Sequence, residues 1–381
     1  MGATRIPANT RDIRSLDWLR MPLALCVIFI HSFGTKSVNY DLFRSDPGSW
    51  EAIYNGVRIF FSHQFPTFAV PTFFLISGYL FFRHLEQWQW SAYTNKLQRR
   101  IHTILLPYIG WNIFHCIHLC WPLLMKIVHG TAHWDALWRM IRVLGGWHML
   151  WVGSYHTQVA NILGITMPFA APVLVPLWFL RDLMVIILFA PAIHWLLSRF
   201  GRWFIALLGA CYLLKIWIPL PGFSIHGTFW FALGGYFTLH GCNMVDWFFR
   251  RRWCFWSIWP LMMAAGMVLA LFRPDTPTYW SGVLKASTTL FSVPAVVAIA
   301  ASIQHVGLLR DRPWLAHSAF WVYCSHIFMR KMVLNITTPL VPHTYAAYTL
   351  HYILVPFLTL LLCLIVRQLW LRIRKGLSAC C

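Results

Sequence analysis

Ten long runs of apolar residues, almost free of charged side chains, constrain this chain more than any other feature of its sequence. The runs cover residues 18–35, 59–82, 103–125, 175–197, 203–220, 225–241, 254–272, 284–304, 314–336 and 349–370. A helix needs about 20 mostly apolar residues to cross a bilayer, and its backbone hydrogen bonds are satisfied within the segment. Strands of a membrane β-barrel would alternate instead. The sequence therefore predicts an all-α integral membrane protein with about ten transmembrane helices.

The scarcity of charge excludes several other classes of protein. Only 11% of the 381 residues are charged, whereas soluble domains are about a quarter charged. Disordered chains have few apolar residues, and here 59% are hydrophobic. The net charge of +20 is not that of a nucleic-acid-binding protein, because such proteins carry a basic stripe on a polar domain. We therefore expect the lipid bilayer as a partner and no nucleic acid.

The positions of Lys and Arg predict the orientation of the spans. With the N-terminus inside, nineteen of the 31 basic residues fall in cytoplasmic segments, in agreement with the positive-inside rule. This distribution favours an N-in/C-in topology with an even number of spans. No cleavable signal peptide is recognisable. We expect a single polytopic domain over 1–381, with a cytoplasmic N-terminal segment (1–17) and a cytoplasmic tail (371–381).

Ionisable side chains inside apolar runs are costly and are functional candidates by default. The residues at such positions are His31, His63, Arg181, Asp182, Lys215 and His326. At about 1.5 Å of rise per residue, His31, Asp182 and His326 fall in the same layer of the outer half of the membrane. A histidine held beside a carboxylate suits a general base. A histidine in a span can equally be a hydrogen-bond partner between helices.

Arg20 lies at the inner edge of the first run, eleven residues before His31. Eleven residues of helix rise roughly 16 Å and make close to three turns, so both side chains project from one face. We therefore expect the first span to carry the Arg20 cation at its inner end and the His31 imidazole in its outer half.

A second basic cluster lies at the inner face, where Arg99 and Arg100 open the third run close to Ser77 and Gly78 at the end of the second. Arginine pairs bind phosphates in a bidentate manner. The alternative for the arginines is ordinary positive-inside charge. The alternative for Ser77 and Gly78 is a contact of small residues between helices.

Other candidate sites are weak. The pairs His115/His118 and His129/His133 have the spacing of metal ligands, but no nearby carboxylate or thiolate completes a site, so we expect no metal. Most of the cysteines lie in spans, where a cysteine packs as a small hydrophobic residue, and we expect no disulfides. The outer segment 126–174 can form either a lid or a packed loop.

Five short motifs, taken in order along the chain, resemble those of the acyltransferase-3 family of integral-membrane O-acyltransferases. They are Leu16–Arg20 followed by His31, Pro71–Leu80, Lys96–Pro107, Leu177–Leu183 and Phe320–His326. The first gives the Arg-x10-His pair of the family, and ten spans is the usual number of its members. The chain departs from the family pattern at His102, where the family often has a further Arg. We expect no appended hydrolase-like domain of the kind that many relatives carry.

The resemblance implies transfer of an acyl group, usually acetyl, from cytoplasmic acyl-CoA to a hydroxyl of a cell-surface glycan or lipid-linked saccharide. It implies a multi-pass protein of the cytoplasmic (inner) membrane of a bacterium, with acetyl-CoA as cosubstrate and no metal. His31 would act as base or acyl carrier, and Asp182 and His326 would orient it or shape the acceptor side. Arg181 would stabilise the oxyanion. The coenzyme would bind at Arg20, Ser77, Gly78, Arg99 and Arg100.

Two other classes of protein remain open at this point. A non-catalytic transporter or flippase of a lipid-linked glycan would use intramembrane His, Asp and Arg for proton coupling, but no internal repeat is evident. A membrane haem protein would need pairs of histidines facing each other at matched depth. Loss of acyl transfer on replacing His31 would separate the enzyme from the transporter, and purified protein without a Soret band would dismiss the haem protein.

Overall fold

The computed structural model of the protein describes residues 10–34, 36–85, 87–218, 220–274, 278–308 and 313–379. The first nine residues of the expected N-terminal segment and the last two of the expected tail lie outside these ranges. Within them the backbone is mainly helical, and a β-hairpin is formed by two strands. The expectation of a helical protein is thus confirmed for the spans, and the hairpin is an addition to it.

The described residues form sixteen α-helices and two strands. The helices are α1 (Thr10–Ile30), α2 (Leu42–Ser45), α3 (Trp50–Ile59), α4 (Ala69–Phe82), α5 (Trp90–Arg100), α6 (Leu106–Val128), α7 (Trp134–Val143), α8 (Trp178–Leu188), α9 (Ala190–Phe200), α10 (Arg202–Leu214), α11 (Ile225–Leu239), α12 (Met244–Arg250), α13 (Arg252–Phe272), α14 (Thr278–His305), α15 (Pro313–Thr337) and α16 (Tyr345–Ala379). The strands are β1 (Ser154–Ala160) and β2 (Thr166–Ala171).

Each of the ten apolar runs overlaps one of these helices or a pair of them. Five helical segments of the described chain are long and apolar enough to cross a membrane. They are Trp50–Phe82, Trp90–Val128, Arg252–Phe272, Tyr279–His305 and Tyr345–Lys375. A sixth span results if the bent pair Val175–Leu188 and Ala190–Phe200 is counted as one. The chain is therefore a multi-pass membrane protein.

The segment between α3 and α4 departs from regular α-helix. It consists of a π-helical turn, Phe60–Gln64, and a 3-10 turn, Phe65–Phe68. Pro66 lies at the start of the 3-10 turn, where its missing amide hydrogen is not needed. π-Helical turns are rare in proteins, and those that occur often lie at functional sites. The turn Phe60–Gln64 contains His63.

The chain divides into two compact units. The first unit comprises Met1–Phe73 and Asn243–Cys381. Within it α1 packs against α14, α15 and α16. Its core contains apolar residues of α1, α15 and α16, namely Met21, Ala24, Ile28, Ala319, Val322 and Cys363. This packing holds the C-terminal half of α1 against α15 and α16.

The second unit comprises Phe74–Cys242, and glycines allow two of its helices to approach closely. A Cβ atom at Gly78 in α4 would lie 2.0 Å from the carbonyl oxygen of Phe231 in α11. A Cβ atom at Gly234 in α11 would lie 2.2 Å from the carbonyl oxygen of Leu75. Both positions therefore require glycine, because any side chain would meet the backbone of the other helix.

Two features of the second unit differ from what the sequence indicates. The apolar run 175–197 is not one straight helix, because the chain bends by 64° between α8 and α9. Pro191, in the first turn of α9, cannot continue a helix from α8 without losing a hydrogen bond. The outer segment 126–174 contains α7 and an antiparallel hairpin in which Ser154 pairs with Ala171.

Candidate active site

Arg20 lies on α1, and His31 directly follows the last residue of this helix. Helix α1 ends at Ile30, and the amide of His31 still donates to the carbonyl of Val27 at 3.2 Å. The Arg20 guanidinium forms an ion pair with Asp17, one turn earlier, at 3.3 Å. A half-exposed pair of this kind has little strength of its own and leaves the arginine able to bind another anion.

The structure brings His31 and His326 together. Their ring centroids lie 5.3 Å apart with an interplanar angle of 40°. His326, in the middle of α15, is fully buried, whereas His31 is half-buried. At this separation a proton on one ring disfavours a proton on the other, because like charges repel.

The hydrogen bond of His326 fixes the form of its neutral ring. Its Nδ1 lies 2.7 Å from the carbonyl oxygen of Tyr323. A carbonyl only accepts hydrogen bonds, so Nδ1 carries the hydrogen and donates it. The Nε2 atom of the neutral ring is then an acceptor, and it is buried without a hydrogen-bond partner among the described residues. A buried acceptor of this kind can receive a proton or an N–H or O–H group that arrives with a substrate.

Arg330, which the sequence reasoning missed, lies beside this pair. It follows His326 by one helical turn in α15 and is close enough to interact electrostatically with both histidines. Its Nε atom is buried and has no hydrogen-bond partner in the part of the chain that the structure describes. The i, i+4 spacing of His326 and Arg330 on one helix face was the available signal.

A buried arginine fixes the loop that follows His31. The Arg58 guanidinium donates two hydrogen bonds to the carbonyl oxygen of Phe33, one from Nε at 3.0 Å and one from Nη2 at 2.8 Å. Its Nη2 atom also donates to the carbonyl oxygen of Lys36 at 2.8 Å. Its Nη1 donates to the Oδ1 atom of Asn55 at 3.1 Å. Arg58 is 0% exposed, so the desolvated cation depends on these acceptors. It thereby holds the backbone directly after the candidate catalytic histidine.

Arg181 and Asp182 form a buried ion pair in the second unit. Nη2 of Arg181 lies 2.9 Å from Oδ1 of Asp182, and both side chains are 1% exposed. The same guanidinium donates to the carbonyls of Trp151, at 2.7 Å, and Ala170, at 2.8 Å. Ser224, directly before α11, is close enough to interact with the Asp182 carboxylate. The pair thus ties the base of the hairpin to α8.

The remaining coenzyme candidates also lie in the second unit. Gly78 is used in the close crossing of α4 and α11, and Ser77 beside it is half-buried. Arg99 is exposed and Arg100 half-buried in the last turn of α5. A π-helical turn, Ile101–Leu105, separates this pair from α6.

Lys96 has a structural function at the same end of this unit. Its Nζ atom donates to the carbonyl oxygens of Phe81 and Arg83. These carbonyls belong to the last turn of α4 and the residue after it, where a cation also complements the helix dipole. Lys96 therefore caps α4, and the exposed charge of this basic cluster is that of Arg99.

Comparison with known proteins agrees with the motifs. A family model described as an acyltransferase domain matches residues 13–368. The chain is similar to the succinoglycan biosynthesis protein ExoH of Rhizobium meliloti, with 26% identity over 343 residues, which cover 85% of this chain and 80% of the relative. No solved structure matches the chain.

Proposed function

The chain belongs to the acyltransferase family whose domain it matches over residues 13–368, and we propose that it moves an acyl group, with acetyl as the first candidate, from cytoplasmic acyl-CoA to a hydroxyl of a cell-surface glycan or lipid-linked saccharide. The observation that carries the proposal is the contact of His31 with His326, at the outer end of the helix that also bears Arg20. The name of the relative, which refers to biosynthesis of succinoglycan, supports a saccharide acceptor.

The proposal includes the topology and the compartment. The ten apolar runs would form ten spans of one polytopic domain, with both termini in the cytoplasm of a bacterial cell and the protein in its inner membrane. On this topology Arg20, Arg99 and Arg100 lie at cytoplasmic ends of their helices. They would bind the phosphates of the coenzyme, and the segment at Ser77 and Gly78 would border its pantetheine arm.

His31 would act on the acceptor. One of its nitrogens takes the proton of the acceptor hydroxyl while the oxygen attacks the thioester carbon. The tetrahedral intermediate then collapses, the carbon–sulfur bond breaks, and the leaving thiolate receives the proton from His31. In the relay version His31 attacks first, releases the thiol and then passes the acyl group to the hydroxyl.

The neighbours of His31 would support these steps. His326 offers a buried acceptor, Nε2, that has no hydrogen-bond partner among the described residues and can orient the His31 ring or share its proton. The Arg330 guanidinium would stabilise the negative oxygen of the tetrahedral intermediate, as preorganised cations do. From the sequence, Arg181 is a second candidate for that role and Asp182 for shaping the acceptor side. Their tie to the hairpin base supports the shaping role.

Acyl transfer by the purified protein tests the proposal. Full-length protein in lipid nanodiscs is incubated with acetyl-CoA labelled in the acetyl group and with a lipid extract of the source cells. We expect the label to appear on a saccharide-containing product only when the protein is present. Unchanged acetyl-CoA and an unlabelled extract would contradict the proposal.

A transporter is the second candidate, because the bent pair α8 and α9 resembles the broken helices of transporters. Vesicles containing the protein separate the two functions. Movement of a fluorescent lipid-linked saccharide across the vesicle membrane without any acylation would favour the transporter. Acylation that requires acetyl-CoA favours the enzyme.

A further inference from the structure

Lys285 is a cation inside a membrane-spanning segment that the proposed reaction does not use. It lies in the span Tyr279–His305, and its side chain is exposed. Its ammonium has no hydrogen-bond or ion-pair partner among the described residues. A lysine within a span is expensive unless it faces a polar opening of the protein or a charged partner. The lysine therefore requires an explanation.

Helix packing places Lys285 near the level of His31. Ser15 at the start of α1 is hydrogen-bonded to Gln304 at the end of α14, so the two packed helices run antiparallel. Sixteen residues along α1 lead from Ser15 to His31, and sixteen residues back along α14 lead from Gln304 to Thr288. Lys285 is three residues further, roughly 4.5 Å beyond the level of His31.

His63 lies close both to Lys285 and to the residues that follow α1. The His63 imidazole is exposed and lies with its ring centroid 4.3 Å from that of Phe33, two residues after His31. It is close enough to interact electrostatically with Lys285 and with Arg58. Its position on the π-helical turn Phe60–Gln64 fits a functional rather than a packing role.

Among the residues that the structure describes, no carboxylate forms an ion pair with Lys285 or His63. Described carboxylates of the first unit are Asp17, Asp41, Asp46, Glu51 and Asp246. Asp17 and Asp246 are paired with other arginines, and none of the five forms an ion pair with Lys285. Arg58 adds a second cation to the group around His63, and its acceptors are neutral oxygens. An anion from outside the protein would complete such a cluster.

We propose that Lys285 and His63 bind an anionic oxygen-bearing group, a carboxylate or a phosphate, of the substrate that reacts at His31. This inference rests on the proposed function and adds the charge of the substrate to it. The group belongs either to the far end of the acyl chain or to the acceptor saccharide. A charge-assisted hydrogen bond from Lys285 would hold it one turn beyond the reacting atoms.

A pair of acyl donors of equal length tests the first source. Succinyl-CoA ends in a carboxylate and butyryl-CoA in a methyl group. If the acyl chain carries the anion, wild-type protein uses succinyl-CoA with the higher kcat/KM. Replacement of the cation in Lys285→Met then lowers kcat/KM for succinyl-CoA by about tenfold to a hundredfold and leaves butyryl-CoA unchanged. Lys285→Arg, which keeps the charge, restores most of the preference, and Lys375→Met, at the far end of α16, serves as the control.

A pair of acceptors tests the second source. With acetyl-CoA as donor, an oligosaccharide containing a uronic acid is compared with its neutral counterpart. If the acceptor carries the anion, Lys285→Met impairs transfer to the acidic oligosaccharide only. The proposal would be overturned if Lys285→Met lowered kcat/KM equally for the charged and the neutral substrate of both pairs. It would also be overturned if the substitution lowered kcat/KM for none of them.

Binding without turnover separates this proposal from the function on which it rests. Succinate and inorganic phosphate are titrated into full-length protein in nanodiscs while thermal unfolding is followed. We expect saturable stabilisation of wild type and of Lys375→Met by at least one anion, and none for Lys285→Met. If the anions stabilise the protein in this way but wild type transfers no acyl group, the proposed function is wrong and the anion site is supported. Identical titrations for all three proteins would overturn the anion site.

Discussion

The imidazole rings of His31 and His326 lie 5.3 Å apart, although the first lies just beyond the end of α1 and the second in the middle of α15. The bond from His326 Nδ1 to the Tyr323 carbonyl leaves Nε2 as the free acceptor of this pair. Replacement of His326 removes that acceptor. We expect His326→Ala to lower the rate of acyl transfer about a hundredfold, measured with labelled acetyl-CoA per amount of folded protein.

His194 provides the matched control for this substitution. It is also buried, and its Nε2 lies 3.0 Å from a backbone carbonyl, that of Leu85. His194→Ala removes an equal volume and an equivalent hydrogen bond in the second unit, so it should reduce the melting temperature but not the rate per folded molecule. Similar rate losses in both variants would mean that His326 is a structural residue only.

Arg330 should act on the transition state more than on binding. If its guanidinium stabilises the oxyanion, Arg330→Met lowers kcat about a hundredfold with a small change in KM for the donor. Lys331→Met removes an exposed cation from the next position of the same helix and is expected to retain activity. A rise in KM with kcat intact would instead assign Arg330 to donor binding.

Substitution of Gly78 can show whether this residue serves helix packing or coenzyme binding. A methyl group there would meet the carbonyl of Phe231 at 2.0 Å, so Gly78→Ala should lower the free energy of unfolding by about 1–3 kcal/mol. Gly110 in α6 has nothing within 4 Å of its would-be Cβ, and Gly110→Ala should leave stability equal or higher. Thermal unfolding in detergent measures both. A Gly78→Ala protein with unchanged stability and weakened donor binding would support contact with the coenzyme instead.

The Arg181–Asp182 pair should be far more sensitive to substitution than an exposed pair. Arg181→Met leaves Asp182 buried without its cation and frees two carbonyls of the hairpin base, a loss of about 3–5 kcal/mol. Arg250→Met breaks the pair with Asp246 on the surface of α12, where the cost is about 0–1 kcal/mol. Equal melting temperatures for the two variants would contradict a stabilising role of the buried pair.

Much of the fold was predictable because span length and charge scarcity follow from bilayer thickness. Every apolar run overlaps a helix, and helical periodicity fixes the spacing of Arg20, on α1, and His31, directly after its last residue. The bend between α8 and α9 depends on Pro191 and on packing within the second unit, and the hairpin depends on tertiary hydrogen bonds to Arg181. Neither is encoded in hydropathy.

The candidate site was predictable in part. Depth arithmetic places His326 at the level of His31, and the structure brings the two rings together. Arg330 lay four residues further in the same run, but a single arginine near the end of a span resembles ordinary positive charge at the membrane edge. Lys285, at the start of the run 284–304, likewise resembles ordinary positive charge at the edge of a span. Its relation to His31 follows only from the pairing of α1 with α14.

The central claim is that His31 carries the chemistry, and acyl transfer by its variants tests this most directly. Purified His31→Ala and His31→Gln in nanodiscs are compared with wild type and with His343→Ala, a change at an exposed histidine of the same unit. The proposed mechanism predicts a loss of at least about a hundredfold in both His31 variants, with unchanged melting temperatures and full activity of His343→Ala. Persistent transfer of labelled acetyl groups by folded His31→Ala protein would contradict it.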